Sequence, residues 1–335
     1  MFEDLIKLIR EKQKFVIATH VNPDGDGLGS EIAFFHLLKN LGKDVSLINH
    51  DPPPATYSFL NSENVFCVYD KAAHHNIFKS ADIFLAIDLS GPNRLGAVEE
   101  ELKNSQVYSI CFDHHPPVNK FADLHVVNEK ASSIGEMTYN LAKEMELDIT
   151  KDMAKGIYVS ILTDTGSFKY SNTSSKTHEI AAELLKLGIE PYSIYKKVYE
   201  NNSYQKIILM GKMLSTFQLD ETAKLAWAIV TQKAIKESGC NLDSEDKEGF
   251  IDILRSLNGI EVVLMFSEKE KVAIKVSLRS KGNIDVNQIA MKFGGGGHPF
   301  AAGVTLSGAK LEPTVQKILK ETIDSIKAFT ESPKK

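Results

Sequence analysis

The first half of the chain alternates short apolar stretches with a helical pattern, and this alternation limits the fold more than any other feature. Apolar runs typical of buried strands lie at residues 14–20, 43–49, 81–90 and 107–115. A helical pattern over residues 27–42 joins the first two runs. Strands joined by helices form parallel sheets, which bind ligands beyond the carboxyl ends of their strands. We therefore expect an α/β fold with a mostly parallel sheet and a site at that edge.

A second set of strands and helices begins after a helical connector. At 335 residues the chain is long enough for two domains with separate cores. We predict a first domain over residues 1–190, a helical linker over 191–215 and a smaller α/β domain over 216–330.

Charge and composition exclude several classes of protein. The net charge of −5 disfavours a protein that tracks long or duplex nucleic acid, so a nucleotide substrate would have to be short. No apolar run reaches the ~20 residues of a membrane span, and the first residues resemble an amphipathic helix rather than a signal peptide. The scattered cysteines Cys67, Cys111 and Cys240 do not suggest a disulfide framework or a thiolate zinc site. We expect a cytoplasmic protein without membrane contacts.

Acidic and histidine residues follow three of the predicted strands. Any one of them alone could cap a helix or decorate a loop. Their shared position at the carboxyl edge of a parallel sheet instead favours one common site. In chain order they are His20, Asp24, Asp26, Asp88, Asp113, His114 and His115.

Asp164 ends a buried helical pattern, "GIYVSILTD". An acid at the negative end of a helix is unfavourable unless a positive group lies nearby. A helix that stops one turn earlier, with Asp164 capping the next loop, is the alternative. We favour a metal ion as the positive partner.

Carboxylates and imidazoles without thiolates suit Mn²⁺ or Mg²⁺ better than structural zinc. The ligand-type residues are too many for one ion but suit two, which can share a carboxylate and act together on a phosphate. Asp24 and Asp26 would then serve different ions, which explains two acids one residue apart.

A glycine-rich segment in the predicted second domain suggests a phosphate site. Gly295, Gly296 and Gly297 precede His298, and their backbone N–H groups could converge on an anion. Arg279, at the end of a predicted strand, offers bidentate contact to a phosphate. A flexible linker is the alternative. We expect this domain to clamp the substrate across a cleft from the metals.

Further residues are candidates for lining that cleft. Ser90 and Arg94 follow the strand that ends near Asp88, and Tyr170 and Phe300 could stack on bases. Arg94 could equally be a surface helix residue, and the two aromatics could serve only in packing.

The motifs "HVNPDGDGLGS", "AIDLS", "FDHHP" and "LTDTGSFKYSN" resemble, in order, those of the DHH phosphoesterase family. "SLRSKGNIDV" and "FGGGGHPFAAG" resemble the family's DHH-associated C-terminal domain. The resemblance runs over nearly the whole chain and is strongest to the bacterial nanoRNase and pAp phosphatase branch.

The resemblance implies a role for each candidate. One ion would be held by His20, Asp24 and Asp88. The second would be held by Asp26, Asp88, His114 and Asp164, so that Asp88 bridges. Asp113 would orient a histidine, although an acid tied only to backbone is the alternative. His115 would face the phosphate.

The resemblance also implies the activity. The chain would be a two-metal, Mn²⁺-dependent phosphoesterase, with Mg²⁺ as the alternative ion. It would hydrolyse very short oligoribonucleotides to mononucleotides and 3′-phosphoadenosine 5′-phosphate (pAp) to AMP. Alternatives are linear or cyclic dinucleotides, pyrophosphate, or nucleotide sensing without turnover. Whether the chain forms a homodimer stays open.

Overall fold

The computed structural model describes residues 1–89, 91–116, 120–240, 249–269 and 273–331. The chain divides into two compact units, Met1–Asn201 and Asn202–Lys335. This division falls inside the segment predicted as a linker.

The first unit is an α/β fold with a parallel sheet, which confirms the predicted fold class. Its strands are β1 (Lys14–Ala18), β2 (Asp44–Asn49), β3 (Phe66–Val68), β4 (Ile83–Ile87), β5 (Tyr108–Asp113) and β6 (Leu124–Val127). Its helices are α1 (Glu3–Glu11), α2 (Gly25–Asn40), α3 (Lys71–Ser80), α4 (Val98–Asn104), α5 (Ile134–Glu144), α6 (Lys151–Asp164), α7 (Ser175–Lys186) and α8 (Pro191–Tyr199). Short 3₁₀ helices cover Ala55–Leu60 and Pro92–Leu95.

The six strands follow the order β3-β2-β1-β4-β5-β6, and every adjacent pair is parallel. The central strands β1 and β4 are buried and apolar apart from Lys14, because both faces of the sheet are covered. On β1, for example, Phe15 and Ile17 belong to one core, whereas Val16 and Ala18 belong to the core on the other face. The strand order reverses between β1 and β4, which makes their carboxyl ends the expected ligand-binding crevice.

The second unit contains a mixed sheet. Its strands are β7 (Gln218–Asp220), β8 (Leu225–Val230), β9 (Val262–Lys269), β10 (Ala273–Ser280), β11 (Gly296–His298) and β12 (Ala301–Ser307). Its helices are α9 (Tyr204–Leu214), α10 (Gln232–Ser238), α11 (Phe250–Arg255), α12 (Val286–Met291) and α13 (Leu311–Glu331). The order is β11-β12-β10-β9-β8-β7; β8 and β9 are parallel, and the other pairs are antiparallel.

The segment predicted as a linker consists of two helices that belong to different cores. Ile194 and Val198 of α8 are buried in the first unit. Leu209 and Met213 of α9 are buried in the second unit with apolar residues of β8 and β9. Among the described residues, the helices lack the combination of length and apolar character needed to cross a membrane.

Candidate metal centre

The loop after β1 and the first turn of α2 place two acids at the crevice. Asp24 caps α2, and its carboxylate accepts hydrogen bonds from the backbone N–H groups of Asp26 (3.0 Å) and Gly27 (3.2 Å). Because of this cap, α2 begins at Gly25, two residues before the predicted start. Asp26 is consequently a helical residue, and its side chain is buried.

A close contact between α2 and α6 brings the other acid to the same place. Gly29 of α2 and Gly156 of α6 face one another, and a Cβ on either would collide with the carbonyl oxygen of the other. This approach sets the carboxyl end of α6, where Asp164 is the last helical residue, beside the start of α2. The alternative of a helix ending one turn before Asp164 is therefore not what the structure shows.

The candidate ligands form two groups that meet at Asp88. In the first, Nε2 of His20 lies 3.6 Å from Asp24 Oδ2 and 3.5 Å from Asp88 Oδ2. In the second, Nε2 of His114 lies 3.4 Å from Asp26 Oδ2 and 3.8 Å from Asp164 Oδ2. His114 Nε2 is also 3.8 Å from Asp88 Oδ1. The two acids at positions 24 and 26 thus face different histidines.

Asp88 presents one carboxylate oxygen to each group. Its Oδ2 faces His20, whereas its Oδ1 faces His114 and lies 3.4 Å from Nδ1 of His115. The residue has a φ of 62°, a left-handed conformation that is uncommon outside glycine and concentrates at functional sites. A side chain in this position can bridge two ions.

Backbone carbonyls orient both histidine rings. His20 Nδ1 is 2.8 Å from the carbonyl oxygen of Val21, and His114 Nδ1 is 3.2 Å from that of Ala131. Since a carbonyl can only accept, each Nδ1 carries the hydrogen and each Nε2 faces the carboxylates. A neutral ring held in this way offers its Nε2 lone pair to a metal.

Asp113 lies directly behind the histidine pair. One carboxylate oxygen accepts hydrogen bonds from the backbone N–H groups of His114 (2.7 Å) and His115 (3.0 Å). The same oxygen is 2.8 Å from Nδ1 of His115. The structure is consistent with both predicted roles of Asp113, because its carboxylate accepts hydrogen bonds from the backbone and also contacts the ring of His115.

The nearby acids raise the pKa of both His20 and His114. Burial alone would lower the pKa of His20, but its contacts with Asp24 and Asp88 outweigh burial and raise it to about 10. The pKa of His114 rises to about 9 against the effect of burial, because Asp26, Asp164 and Asp88 surround it.

The pKa values of Asp26 and Asp164 are also raised, in their case chiefly by burial. Burial and then the charge of Asp88 raise the pKa of Asp26 well above its usual range. Burial raises the pKa of Asp164 to about 6, although His114 partly opposes this.

The residues present fit a pair of divalent ions. Asp88 Oδ1 and His114 Nε2 are buried without a hydrogen-bond partner, although both are strong polar atoms. A cation between the carboxylates and the imidazoles would supply the missing partner. Three groups of candidate ligand atoms each lie within 4.8 Å of one another: Asp88, His114 and His115; His20, Asp24 and Asp88; and Asp26, His114 and Asp164.

Several residues that support these ligands were not predicted from the sequence. Asp26 accepts hydrogen bonds from Ser160 Oγ (2.5 Å) and from the backbone N–H of Ile134 (3.1 Å). Asn172 Nδ2 donates to Asp164 Oδ2 at 3.2 Å. The only sequence signal for Ser160 is a small polar residue within an apolar helical run, which is too common to be specific.

The predicted phosphate-binding residues lie in the second unit. Gly296, Gly297 and His298 form the edge strand β11, which is more extended than the concave turn that we expected, because it pairs with β12. Gly295 precedes this strand, and its N–H donates to the carbonyl of Ala290. His298 is directly opposite Ala301, which in turn is opposite Arg279 on β10.

The structure says less about the roles of the other residues that the sequence suggested for contacting substrate. Ser90 lies outside the described residues. Arg94 is half-buried, and its carbonyl accepts a hydrogen bond from the N–H of Val21, beside His20. The amine of Lys169 lies over the Tyr170 ring, 5.4 Å from its centroid, and Phe300 is exposed.

Comparisons with known proteins agree with the geometry. The family model "DHH family, N-terminal domain" matches residues 14–161, and the "DHHA1 domain" model matches residues 228–327. The chain is 32% identical over 321 residues to the bifunctional oligoribonuclease and PAP phosphatase NrnA of Thermus thermophilus. That alignment covers 94% of this chain and 92% of the relative.

Two further comparisons extend over almost the whole chain. The protein of the same name from Bacillus subtilis is 27% identical, over 91% of this chain and 93% of the relative. A crystal structure of an exopolyphosphatase-related protein from Bacteroides fragilis superimposes with a TM-score of 0.92 at 28% identity, covering 98% of this chain and 97% of that one. With its parallel sheet, its DHH motif beside a cluster of acids and its second domain of the matching type, the chain belongs to the DHH/DHHA1 phosphoesterase family and is a hydrolase.

Proposed function

We propose that the protein uses two divalent ions to hydrolyse very short oligoribonucleotides to mononucleotides and pAp to AMP. The observation that carries this proposal is Asp88, whose two carboxylate oxygens face two separate sets of ligands, one oxygen being buried without a partner. The relatives named as bifunctional oligoribonuclease and PAP phosphatase support the choice of substrates.

Each candidate ligand has a proposed place. His20, Asp24 and Asp88 would hold one ion, and Asp26, Asp88, His114 and Asp164 the other. Two divalent ions held there would lower the pKa of water and offset the charge of a phosphate. Carboxylates combined with imidazoles suit Mn²⁺, with Mg²⁺ as the alternative.

The surrounding residues position these ligands and the substrate. Asp113 fixes the ring of His115 through Nδ1, and His115 is proposed to face a phosphate of the substrate. Backbone carbonyls hold His20 and His114 with Nε2 toward the carboxylates. In the second unit, Arg279, His298 and Gly295, Gly296 and Gly297 are proposed to bind a phosphate of the nucleotide.

Product analysis with Mn²⁺ tests the proposal. The substrates would be pAp, pApA, cyclic di-AMP, pyrophosphate and single-stranded RNAs of increasing length. We expect AMP from pAp and mononucleotides from the shortest RNAs. Hydrolysis confined to cyclic dinucleotides or to pyrophosphate would overturn the proposed substrates while leaving the metal site intact, and binding without any product would show a nucleotide sensor.

A further inference from the structure

Three buried polar residues next to the candidate metal centre are hydrogen-bonded in series. Asn49, the last residue of β2, accepts a hydrogen bond through Oδ1 from the backbone N–H of Thr19 at 2.9 Å. Its Nδ2 donates to Glu31 Oε2, on α2, at 2.8 Å. Thr19 and Asn49 are each 1% exposed, and Glu31 is 0% exposed. These contacts therefore link the end of β1 to α2 through the end of β2.

A second contact from the same segment holds the other side of His20. Asp51, which follows β2, accepts a hydrogen bond through Oδ2 from the backbone N–H of Asn22 at 2.8 Å. Asn22 has a φ of 53°, a left-handed conformation that is uncommon outside glycine. The backbone on both sides of His20 is thus held by side chains from the end of β2.

The same contacts fix the position of His20 relative to α2. Thr19 directly precedes His20, and a Cβ on Gly27, in the first turn of α2, would collide with Thr19 Oγ1. Glu31 lies further along this helix, which also carries Asp26. His20 is a candidate ligand of one ion, and Asp26 is a candidate ligand of the other. The contacts therefore set the distance between ligands of two different ions.

The carboxyl group of Glu31 is costly to bury. Its Oε1 has no hydrogen-bond partner among the residues that the structure describes. Burial raises the pKa of Glu31 to about 8, although the hydrogen bond from Asn49 and the charge of His20 partly oppose this. An apolar side chain of similar size would avoid the cost of burying a polar group, but it could not accept a hydrogen bond from Asn49. The position that Glu31 imposes on Asn49 explains why a polar group is present here.

We propose that Glu31, Asn49 and Asp51 are positioning residues. They hold the loop that carries His20, so that this histidine meets the acids at the start of α2 where an ion can bind. The inference rests on the proposed two-ion site, but it is independent of which nucleotide is cleaved. It predicts that loss of these contacts weakens the ion held by His20 more than the ion held by His114.

Calorimetric titration of Mn²⁺ into the full-length, metal-free protein tests the proposal. Two pairs of variants compare loss of a hydrogen-bond acceptor with its retention: Glu31→Leu with Glu31→Gln, and Asp51→Ala with Asp51→Asn. The matched controls are Glu179→Leu and Asp148→Ala, which change exposed acids elsewhere in the first unit. Thermal unfolding of each variant shows whether it is folded.

We expect the wild-type protein to bind two Mn²⁺ ions per chain. In Glu31→Leu and Asp51→Ala, one ion should bind about 10-fold more weakly, the lower end of the range for residues that orient a metal ligand. The other ion should keep its affinity. Glu31→Gln, Asp51→Asn and both controls should bind like wild type, because each retains the acceptors that hold the loop. A purely structural role would lower the Tm without separating the two ions.

Two results would overturn the inference: affinities equal to wild type for both ions in the folded Glu31→Leu and Asp51→Ala proteins, or equal weakening of both ions. The Asp51 side chain is 35% exposed, so Asp51→Ala decides the test even if Glu31→Leu does not fold.

Failure of the proposed function has a different signature. A wild-type protein that bound two Mn²⁺ ions but released neither AMP from pAp nor mononucleotides from short RNA would overturn the proposed function alone. The difference in metal binding between Asp51→Ala and wild type would then persist. A wild-type protein that bound fewer than two Mn²⁺ ions would overturn both.

Discussion

The charged groups of the two units are organised in opposite ways. In the first unit, Asp26 and Asp88 are buried and crowd against histidines, with distances of 3.4 to 3.8 Å between charged groups. In the second unit, Lys275 is exposed and Arg279 is half-buried, and both lie on β10. A buried charge is unfavourable unless a partner lies close to it, whereas an exposed charge is stabilised by water. The buried acids of the first unit therefore require a compensating charge at a fixed place, whereas the exposed Lys275 does not.

The strongest test of this comparison is the loss of the shared acid. We expect Asp88→Ala and Asp88→Asn each to lower kcat at least about 100-fold, about 2.7 kcal/mol of barrier, because both sets of ligands lose a member. Asparagine tolerates the left-handed backbone conformation of this position. A low kcat in Asp88→Asn would therefore result from the lost charge and not from backbone strain. Steady-state kinetics and metal analysis of the purified variants provide the measurement.

The matched control is Asp148→Asn, which changes an exposed acid in the loop between α5 and α6. It should behave like wild type. If Asp88→Asn kept more than a tenth of the wild-type kcat, the assignment of a bridging ligand would be wrong.

A smaller effect is expected from a residue that only holds a ligand in place. Ser160→Ala removes the hydroxyl that donates to Asp26 while leaving every proposed ligand present. Loss of such a supporting contact usually costs 10- to 100-fold in metal affinity or activity. Titration with Mn²⁺, compared with the exposed control Ser58→Ala, measures the change. Unaltered affinity in a folded Ser160→Ala protein would mean that packing alone positions Asp26.

Substitutions in the second unit should affect the substrate and not the metals. We expect Arg279→Ala and His298→Ala each to raise KM for pAp about ten-fold, because a charge-assisted contact to phosphate is lost. Their bound metal should equal that of wild type and of the control Arg255→Ala, in which the arginine removed pairs with Asp252 on α11. Loss of manganese from either of the first two variants would contradict the division of labour between the units.

The length of the RNA is expected to have the mildest effect. The protein is negative overall, at −5, so phosphates beyond the cationic residues of the second unit are repelled. Rates at fixed salt and fixed molar ends should be highest for about two to five nucleotides and several-fold lower for a 24-mer. A 24-mer degraded processively and as fast as a trimer would identify a long-chain exonuclease.

The sequence was most informative where acidic and histidine residues follow the ends of several strands. Hydrophobic alternation predicted β1, β2, β4 and β5, and the parallel arrangement then predicted that His20, Asp88 and His114 would meet. The edge strands β3 and β6 were not predicted, since β3 spans only Phe66–Val68 and both are partly exposed. Short edge strands carry too few buried residues to show a clear period.

The sequence by itself determined which chemistry is available and where it gathers, because strand ends and helix caps are set by local patterns. Only the tertiary structure decided how that chemistry is held. The hydroxyl of Ser160 reaches Asp26 across 134 residues. The Gly29 and Gly156 contact that joins α2 to α6, and the cross-strand row of His298, Ala301 and Arg279, likewise depend on packing and register between distant segments. Such contacts are fixed by the packing of the whole fold, so a local pattern of residues does not predict them.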